Sequence, residues 1–477
     1  MKKTLPITLC AASLLLSSCG IYTKYEQATD VPDNLYGTGV TAEDTASLGT
    51  MPWKQFFTDP TLQALVEQAL EANTDYLSAQ LRVEEAEATL LSAKLAYLPS
   101  LALAPQGAVS SFDTSKATQT YSIPLTASWQ LDLFGSIRNA KKQAQALHAQ
   151  SLDYQQAVRT QLIAGVANTY YTLLMLDEQL AISISSEQAW KESVTSIRAL
   201  MNAGMANEAA VSQMEGAYYQ VQSSVLDLKE QIHQVENSLA MLLAETPRHY
   251  QRPTATAVGT SATPYSGDGA ARSILAQAAE SFPADWSIGI PVQLLAARPD
   301  VRSAERALEA AFYGTNAARS AFYPSITLSG SAGWTNSAGS MIVNPGKLLA
   351  SAVASLTQPL FAQGRLTGQL KIAKAQQDRA SLSFQQTLLN AGSEVNNALT
   401  ACQTSRDKSI LLEKQVQALD NALRSTTLLM EHGSTTYLEV LTARQSLLSA
   451  QLSETANRFA QIQSMITLYQ ALGGGQE

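Results

Sequence analysis

No proline interrupts the chain between Ser136 and Ala203, and none follows Pro359. A helix interior tolerates proline least of all residues, because the ring removes a backbone donor and clashes with the preceding turn. The first interval therefore predicts an α-helix of 68 residues, roughly 100 Å at 1.5 Å per residue. Ordinary globular helices run to three or four turns. The chain reverses at Asn202-Ala203-Gly204, and a second helix is expected back to about residue 243. The pattern recurs with a helix over about 365–432, a turn at His432-Gly433-Ser434 and a helix over about 436–472. Apolar residues alternate at spacings of three and four along these helices. Val158, Leu162, Val166, Thr169, Leu173, Leu176 and Leu180 make one seam, and Leu412, Val416, Leu419, Leu423, Thr426 and Met430 another. Such a seam is buried only by a helix lying alongside, as in a coiled coil.

Ahead of each helical hairpin the period changes from helical to twofold. Tyr121, Ile123, Leu125, Ala127, Trp129, Leu131 and Leu133 alternate with Thr120, Ser122, Thr126, Ser128, Gln130 and Asp132. That is a strand with one apolar and one polar face, long enough to cross a tilted bilayer span. Pro124 is awkward within it, since it removes one ladder hydrogen bond. The expected strands are about 101–111 and 120–134, then about 326–335 and 349–358. A helix over 60–97, capped by Asp59 with Pro60 in its first turn, precedes the first pair. A helix over 299–322 precedes the second.

Pro99 and Pro324 are 225 residues apart, and Gly204 and Gly433 are 229 apart. The chain is thus a tandem duplication, with a first repeat over 59–246 and a second over 299–472. A linker and collar rich in Pro, Gly, Thr and Ser fills 247–298, and 473–477 is a tail. Two membrane-capable strands per repeat give four per chain. Four strands leave open edges, which hydrocarbon forbids, so several chains must close one barrel.

The first residues describe export. Lys2 and Lys3 precede an apolar run from Leu5 to Leu16, too short to span a bilayer as mature structure. Residues 1–18 are expected to be a signal peptide. Leu16-Ser17-Ser18-Cys19 resembles a bacterial lipobox, which implies lipidation of Cys19 and a tether over 19–58. Gly20, in place of aspartate, implies that the lipoprotein is not retained in the inner membrane. With Cys10 removed and Cys19 acylated, only Cys402 remains, so no intrachain disulfide framework is available. The four histidines, His148, His233, His249 and His432, lack ligand spacing, and no metal site or cofactor is expected. The chain has 32 basic and 40 acidic residues, formally -8, which excludes a basic nucleic-acid surface. Glycine-rich nucleotide motifs, a P-loop and HExxH are missing from the sequence, and an enzyme is not expected.

Several stretches together resemble the outer-membrane efflux protein family, in its lipid-anchored branch. They are Trp53, Phe56, Asp59-Pro60 and Leu62 to Ala69; Trp129 with Leu131-Asp132-Leu133-Phe134-Gly135; Ile290-Pro291, Leu294-Leu295 and Arg298-Pro299-Asp300-Val301; and Gly433 with Val440-Leu441 and Ala443. The resemblance covers nearly the whole mature chain. It implies a homotrimer in which a 12-stranded outer-membrane β-barrel is continuous with a coiled-coil tunnel of twelve long helices projecting into the periplasm. It implies an exit duct that passively conducts small molecules from an inner-membrane resistance-nodulation-division pump through a periplasmic adaptor protein. By resemblance, Met201, Asn202, Ala203, Gly204, His432, Gly433 and Ser434 form periplasmic tips that meet the adaptor. Glu208 and Glu439, repeated by symmetry, are candidates for a pore constriction or charge ring, or else first-turn acids facing the helix dipole. Trp129 and Trp334 suit an interface belt with outer-membrane lipid, or collar packing. The chain departs from the family pattern at Ala297, where a second arginine is usual, and at Ala210, which matches Glu439 in the first repeat. A conduit for type I protein secretion and a non-channel coiled-coil envelope spacer are the other readings. The membrane-length strands count against the spacer.

Overall fold

Asp59 caps the helix that starts at Pro60, and its carboxylate does two jobs. Its Oδ1 accepts from the N–H groups of Thr61 (2.8 Å) and Leu62 (3.4 Å). Its Oδ2 accepts from the buried Tyr170 hydroxyl at 2.5 Å. The computed structural model describes residues 22, 24–26, 48–111, 117–253, 273–282, 298–336 and 347–475. Cys19, the signal segment, most of the tether, Ile290-Pro291, Leu294-Leu295 and most of the collar lie outside the described residues. In order the described elements are α1 (Trp53–Phe56), α2 (Pro60–Ala72), α3 (Thr74–Leu95), β1 (Ser100–Leu103), β2 (Gln106–Ser110) and β3 (Thr118–Leu131). They continue as α4 (Ser136–Asn202), α5 (Glu208–Leu242), α6 (Ile274–Ser281), α7 (Pro299–Ser320), β4 (Ser325–Asn336), β5 (Lys347–Thr357), α8 (Arg365–Glu431) and α9 (Tyr437–Ala471).

From α3 and α7 onward the two copies match helix for helix, and the β1–β2 line matches the single strand β4. Helices α4 and α8 have 67 residues each, α5 and α9 have 35 each, and α3 and α7 have 22 each. Each of the four hairpin helices ends in a left-handed residue: Gly204, Ala244, Gly433 and Gly473. At each end the following N–H reaches back five residues, as in Met205 to Leu200 O and Ser434 to Leu429 O, both 2.8 Å. This satisfies carbonyls that a helix end otherwise orphans.

The chain forms two compact units. One comprises residues up to Asp30 with Leu81–Tyr154 and Arg302–Thr387, and the other Val31–Gln80, Gln155–Val301 and Leu388–Glu477. The first contains the sheet. Its strands are antiparallel in the order β1-β3-β4-β5, with β2 also on β3. Ser100 faces Ser128, Leu131 faces Ile326 and Ser325 faces Thr357. Pro124 fits because Gly333 stands opposite; a Cβ there would meet the Ile123 carbonyl oxygen at 2.4 Å. The described tether residues dock on this unit. Tyr22 donates to the Phe134 carbonyl at 2.7 Å, and Tyr25 packs edge-on to Phe312. The second unit has an aromatic core in which Phe56 stacks on Tyr469 with centroids 4.1 Å apart and Phe282 closes over both Phe56 and Phe57. The buried Arg252 there binds Asp177 and Glu236, fixing the start of the linker to α4 and α5.

The structure corrects four expectations. The helix over 60–97 breaks at Asn73, which leaves α2 in extended geometry. Asn73 also caps α3 by accepting from Asp75 and Tyr76. The strand over 101–111 divides at Ala104-Pro105, where proline cannot donate to the ladder. The strand over 120–134 starts earlier and ends at Leu131, because Asp132 accepts from Ile137 and Arg138 to start α4. The collar contains a helix, α6, whose cap is Ser273.

Candidate functional site

The two helix turns are built alike in backbone and unlike in side chains. Gly204 and Gly433 have φ of +76° and +70°, and a Cβ at either would meet open space. Glycine is favoured there by the backbone angle, which L-residues adopt at a cost of roughly 1–2 kcal/mol. Asn202, Ala203, Gly204, His432, Gly433 and Ser434 are exposed, and Met201 is half-buried. After the first turn Asn207 caps α5, its Oδ1 accepting from Ala210 N–H at 2.9 Å. After the second, Thr436 occupies the cap position without a side-chain cap bond, although Glu439 N–H donates to the Thr436 carbonyl just as Ala210 N–H donates to that of Asn207.

Beneath the first turn lies a core of Val194, Ile197, Ala210, Val211 and Met214, flanked by Leu200, Met201, Ala206 and Tyr218. Tyr437 and Leu441 of the second hairpin pack against it. Tyr437 also donates its hydroxyl to Gln213 Oε1 at 3.1 Å. Further along, the Arg444 guanidinium lies 5.8 Å from the centre of the fully buried Trp190 ring. Burial pulls the Arg444 pKa down, against the opposing charge of Glu192. Arg198 and Glu215 close the outside of the first hairpin at 2.5 Å. The turns thus place Glu208 and Glu439 on exposed first turns of α5 and α9, at the first and third helical positions. They are not equivalent positions. Glu439 corresponds to Ala210, which is completely buried.

On the sheet, Trp129 and Trp334 are exposed on one face. Trp129 lies near the end of β3, opposite Leu328, and Trp334 lies opposite Ile123. Six residues of ladder separate them, roughly 20 Å. The Trp129 indole donates to the Tyr97 carbonyl at 2.8 Å. Phe134 stacks on Tyr323 just past the same end of the sheet, with centroids 5.1 Å apart.

Sequence reasoning missed Tyr437, Gln213, Trp190 and Arg444. A lone tryptophan among Gln188, Lys191 and Glu192 is the one local signal for any of them. It also missed the docking of Tyr22 and Tyr25. Among the described residues no helix is long and apolar enough to cross a membrane, and no group of His, Cys, Asp and Glu is placed to hold a metal ion.

Long paired helical hairpins, duplicated and joined to a small antiparallel sheet with exposed apolar residues, define an envelope channel protein. The family model for outer membrane efflux proteins matches residues 65–245 and 290–474, and the chain belongs to that family. It functions as an outer-membrane efflux channel. It is 30% identical to the solvent efflux pump outer membrane protein SrpC of Pseudomonas putida, over 99% of this chain and 98% of that one. It is 28% identical to the cation efflux system protein CusC of Escherichia coli K12, over 99% of each chain. A crystal structure of CusC superposes with a TM-score of 0.83 at 27% identity, covering 96% of this chain and all of the other.

Proposed function

We propose that three copies of this chain form the exit duct of a tripartite efflux pump, joined to a periplasmic adaptor and an inner-membrane resistance-nodulation-division pump. The observation that carries the multi-chain reading is the sheet. Among the described residues, β5 and the β1–β2 line are each paired on one side only. A lipid-embedded sheet with two such edges is unstable, because an unpaired backbone group in hydrocarbon costs several kcal/mol. Three copies supply twelve strand lines, and their hairpins supply twelve long helices around a tunnel.

Conduction is passive and the cargo is small. SrpC and CusC are named for solvent and cation efflux, and they support a duct for small molecules over one for secreted proteins. The turns around Gly204 and Gly433 meet the adaptor. Glu439, exposed beside the turn, forms a ring of three carboxylates that favours cations. Trp129 and Trp334, on one face near opposite ends of the strands, fit the two aromatic girdles of a membrane barrel. Cys19 carries the lipid. Three residues on in sequence, Tyr22 is bonded beside the Phe134–Tyr323 pair.

The test is the mass of the detergent-solubilised protein together with its single-channel conductance in planar bilayers. A three-chain mass with discrete steps is expected. A single-chain mass without conductance overturns the reading. In the conducting protein, Glu439→Ala is expected to lower cation preference.

A further inference from the structure

The end of the sheet where the chain passes into its helices is basic, in a chain that is acidic as a whole. β1 and β4 start at this end and β3 and β5 finish there, as the pairs Ser100↔Ser128, Leu131↔Ile326 and Ser325↔Thr357 show. The four flanking segments, 88–99, 132–142, 313–324 and 358–371, hold seven basic residues and one acidic one. The acid is Asp132, whose two oxygens already accept from the Ile137 and Arg138 N–H groups. Lys94, Arg138, Lys142, Arg365 and Lys371 are exposed. The ion pairs among the described residues involve none of the seven. The next acids on α3 and α8, Glu87 and Asp378, lie seven residues farther from the sheet than Lys94 and Lys371, about 10 Å along each helix.

The duplication repeats this placement. Segments ahead of the strands are related by an offset of 225 and those after them by 229, so that Ser100↔Ser128 recurs as Ser325↔Thr357. By the first offset Lys94 matches Arg319, each the penultimate residue of its helix. By the second, Lys142 matches Lys371, each the seventh residue of its helix. Neighbouring positions have diverged, Arg138 against Thr367 and Lys141 against Leu370.

The cations also adjoin the aromatic end of the exposed apolar face. Lys141 Nζ lies 5.6 Å from the centre of the Tyr97 ring, and the Tyr97 carbonyl accepts from the Trp129 indole at 2.8 Å. Lys142 Nζ lies 5.0 Å from the centre of the Tyr313 ring, against which Tyr25 of the tether packs. Apolar strand, aromatic ring and ammonium thus follow one another in the order of hydrocarbon, interface and headgroup. A lysine stem lies along apolar surface while its charge reaches the polar layer.

We infer that this basic band binds the phosphate headgroups of anionic phospholipid in the leaflet on the helical side of the outer membrane. The inference rests on reading the sheet as part of a membrane barrel and goes beyond it by naming the lipid class. A zwitterionic headgroup carries its own ammonium beside the phosphate and offers the band no net charge. Near an anionic surface each lysine or arginine strengthens binding roughly fivefold.

Retention of added lipid by the full-length protein in detergent, followed through gel filtration with the particle mass recorded, tests the band. Dioleoylphosphatidylglycerol is expected to be retained about tenfold over dioleoylphosphatidylcholine. The preference is expected to vanish at 1 M salt, where the screening length falls to about 3 Å. The Lys94→Gln, Lys141→Gln, Lys142→Gln variant is expected to hold the two lipids within about twofold of each other. Lys229→Gln, Lys408→Gln, Lys414→Gln, the same charge change at exposed lysines of the other unit, is expected to keep the full preference. Equal retention of both lipids by the unaltered protein, or equal losses in the two triple variants, overturns the proposal. Displacement of the lipid by millimolar inorganic phosphate also overturns it, since that marks a site for small anions. Either result with a multi-chain mass leaves the channel reading standing, whereas a single-chain mass sinks that reading whatever lipid is held.

Discussion

The two helical hairpins share one backbone and differ in what covers it. At positions 229 residues apart, Trp190, Val194 and Ile197 are buried, whereas Leu419, Leu423 and Thr426 are only half-buried. Ala210 is sealed in the core beneath its turn, whereas Glu439 is exposed beside its own. The cause is visible within the chain. Tyr437 and Leu441 of the second hairpin cover the first, while among the described residues no third hairpin does the same for the second. The first repeat has a filled core. The second keeps a half-buried seam, as the proposed multi-chain assembly requires.

The sharpest way to break this comparison is to exchange its most different pair. Ala210→Glu places an unpaired carboxylate in a closed apolar core and is expected to destabilise the fold by about 3 kcal/mol or more. Glu439→Ala is expected to stay within about 0.5 kcal/mol. Denaturant unfolding in detergent reads both, and equal effects would show that the two environments are alike. Of comparable size, Trp190→Ala should cost about 3–5 kcal/mol in any state of assembly. Leu419→Ala should cost about 1 kcal/mol in the isolated chain and about 2 kcal/mol or more in the assembled protein, where the seam is covered. A Leu419 effect independent of assembly would remove the argument from the neighbour.

Smaller effects test where the copies differ in backbone. The first return helix ends on Ala244 at φ +52°, the second on Gly473 at +82°. Ala244→Gly is expected to stabilise by about 1 kcal/mol and Gly473→Ala to destabilise by a similar amount, seen as opposite shifts in thermal midpoint. The smallest concerns Arg298 and Asn73, which occupy equivalent positions and donate to equivalent carbonyls, Ala471 and Leu242, each at 3.0 Å. Only Arg298 carries charge. Burial would raise the Asp300 pKa, but Arg298, bonded at 2.6 Å, outweighs it and holds the carboxyl below its usual range. That stabilisation is present above about pH 4, the unfolded carboxylate value, and is lost as pH falls through the lower folded value. Arg298→Met should flatten the acid limb of a stability–pH profile, while Asn73→Ala should shift the profile without changing its shape.

The backbone plan was legible because proline and glycine act locally. The interval that begins after Gly135 and ends at Gly204 coincides with α4, and the glycine pair 229 residues apart marks both turns. Strand alternation was legible for the same reason, up to the ends, where Pro105 and Asp132 compete with the ladder. Asn73 was a readable cap two residues before Asp75, but the apolar stripe running past it concealed the break. What lies between distant segments was not legible. Nothing near Arg252 announces Asp177, 75 residues away. Nothing in Ala210 or Glu439 tells which of them is enclosed, since that depends on which hairpin stands beside each.

The four residues that separate an offset of 225 from one of 229 lie entirely between paired strands. The ladder on either side keeps its rungs, so the chain has already tolerated one lengthening there without a frameshift in pairing. That stretch is where a foreign peptide belongs. An epitope grafted between β4 and β5 should be displayed while the channel assembles, whereas the same graft at Asp132 would uncouple the strand from the helix it starts.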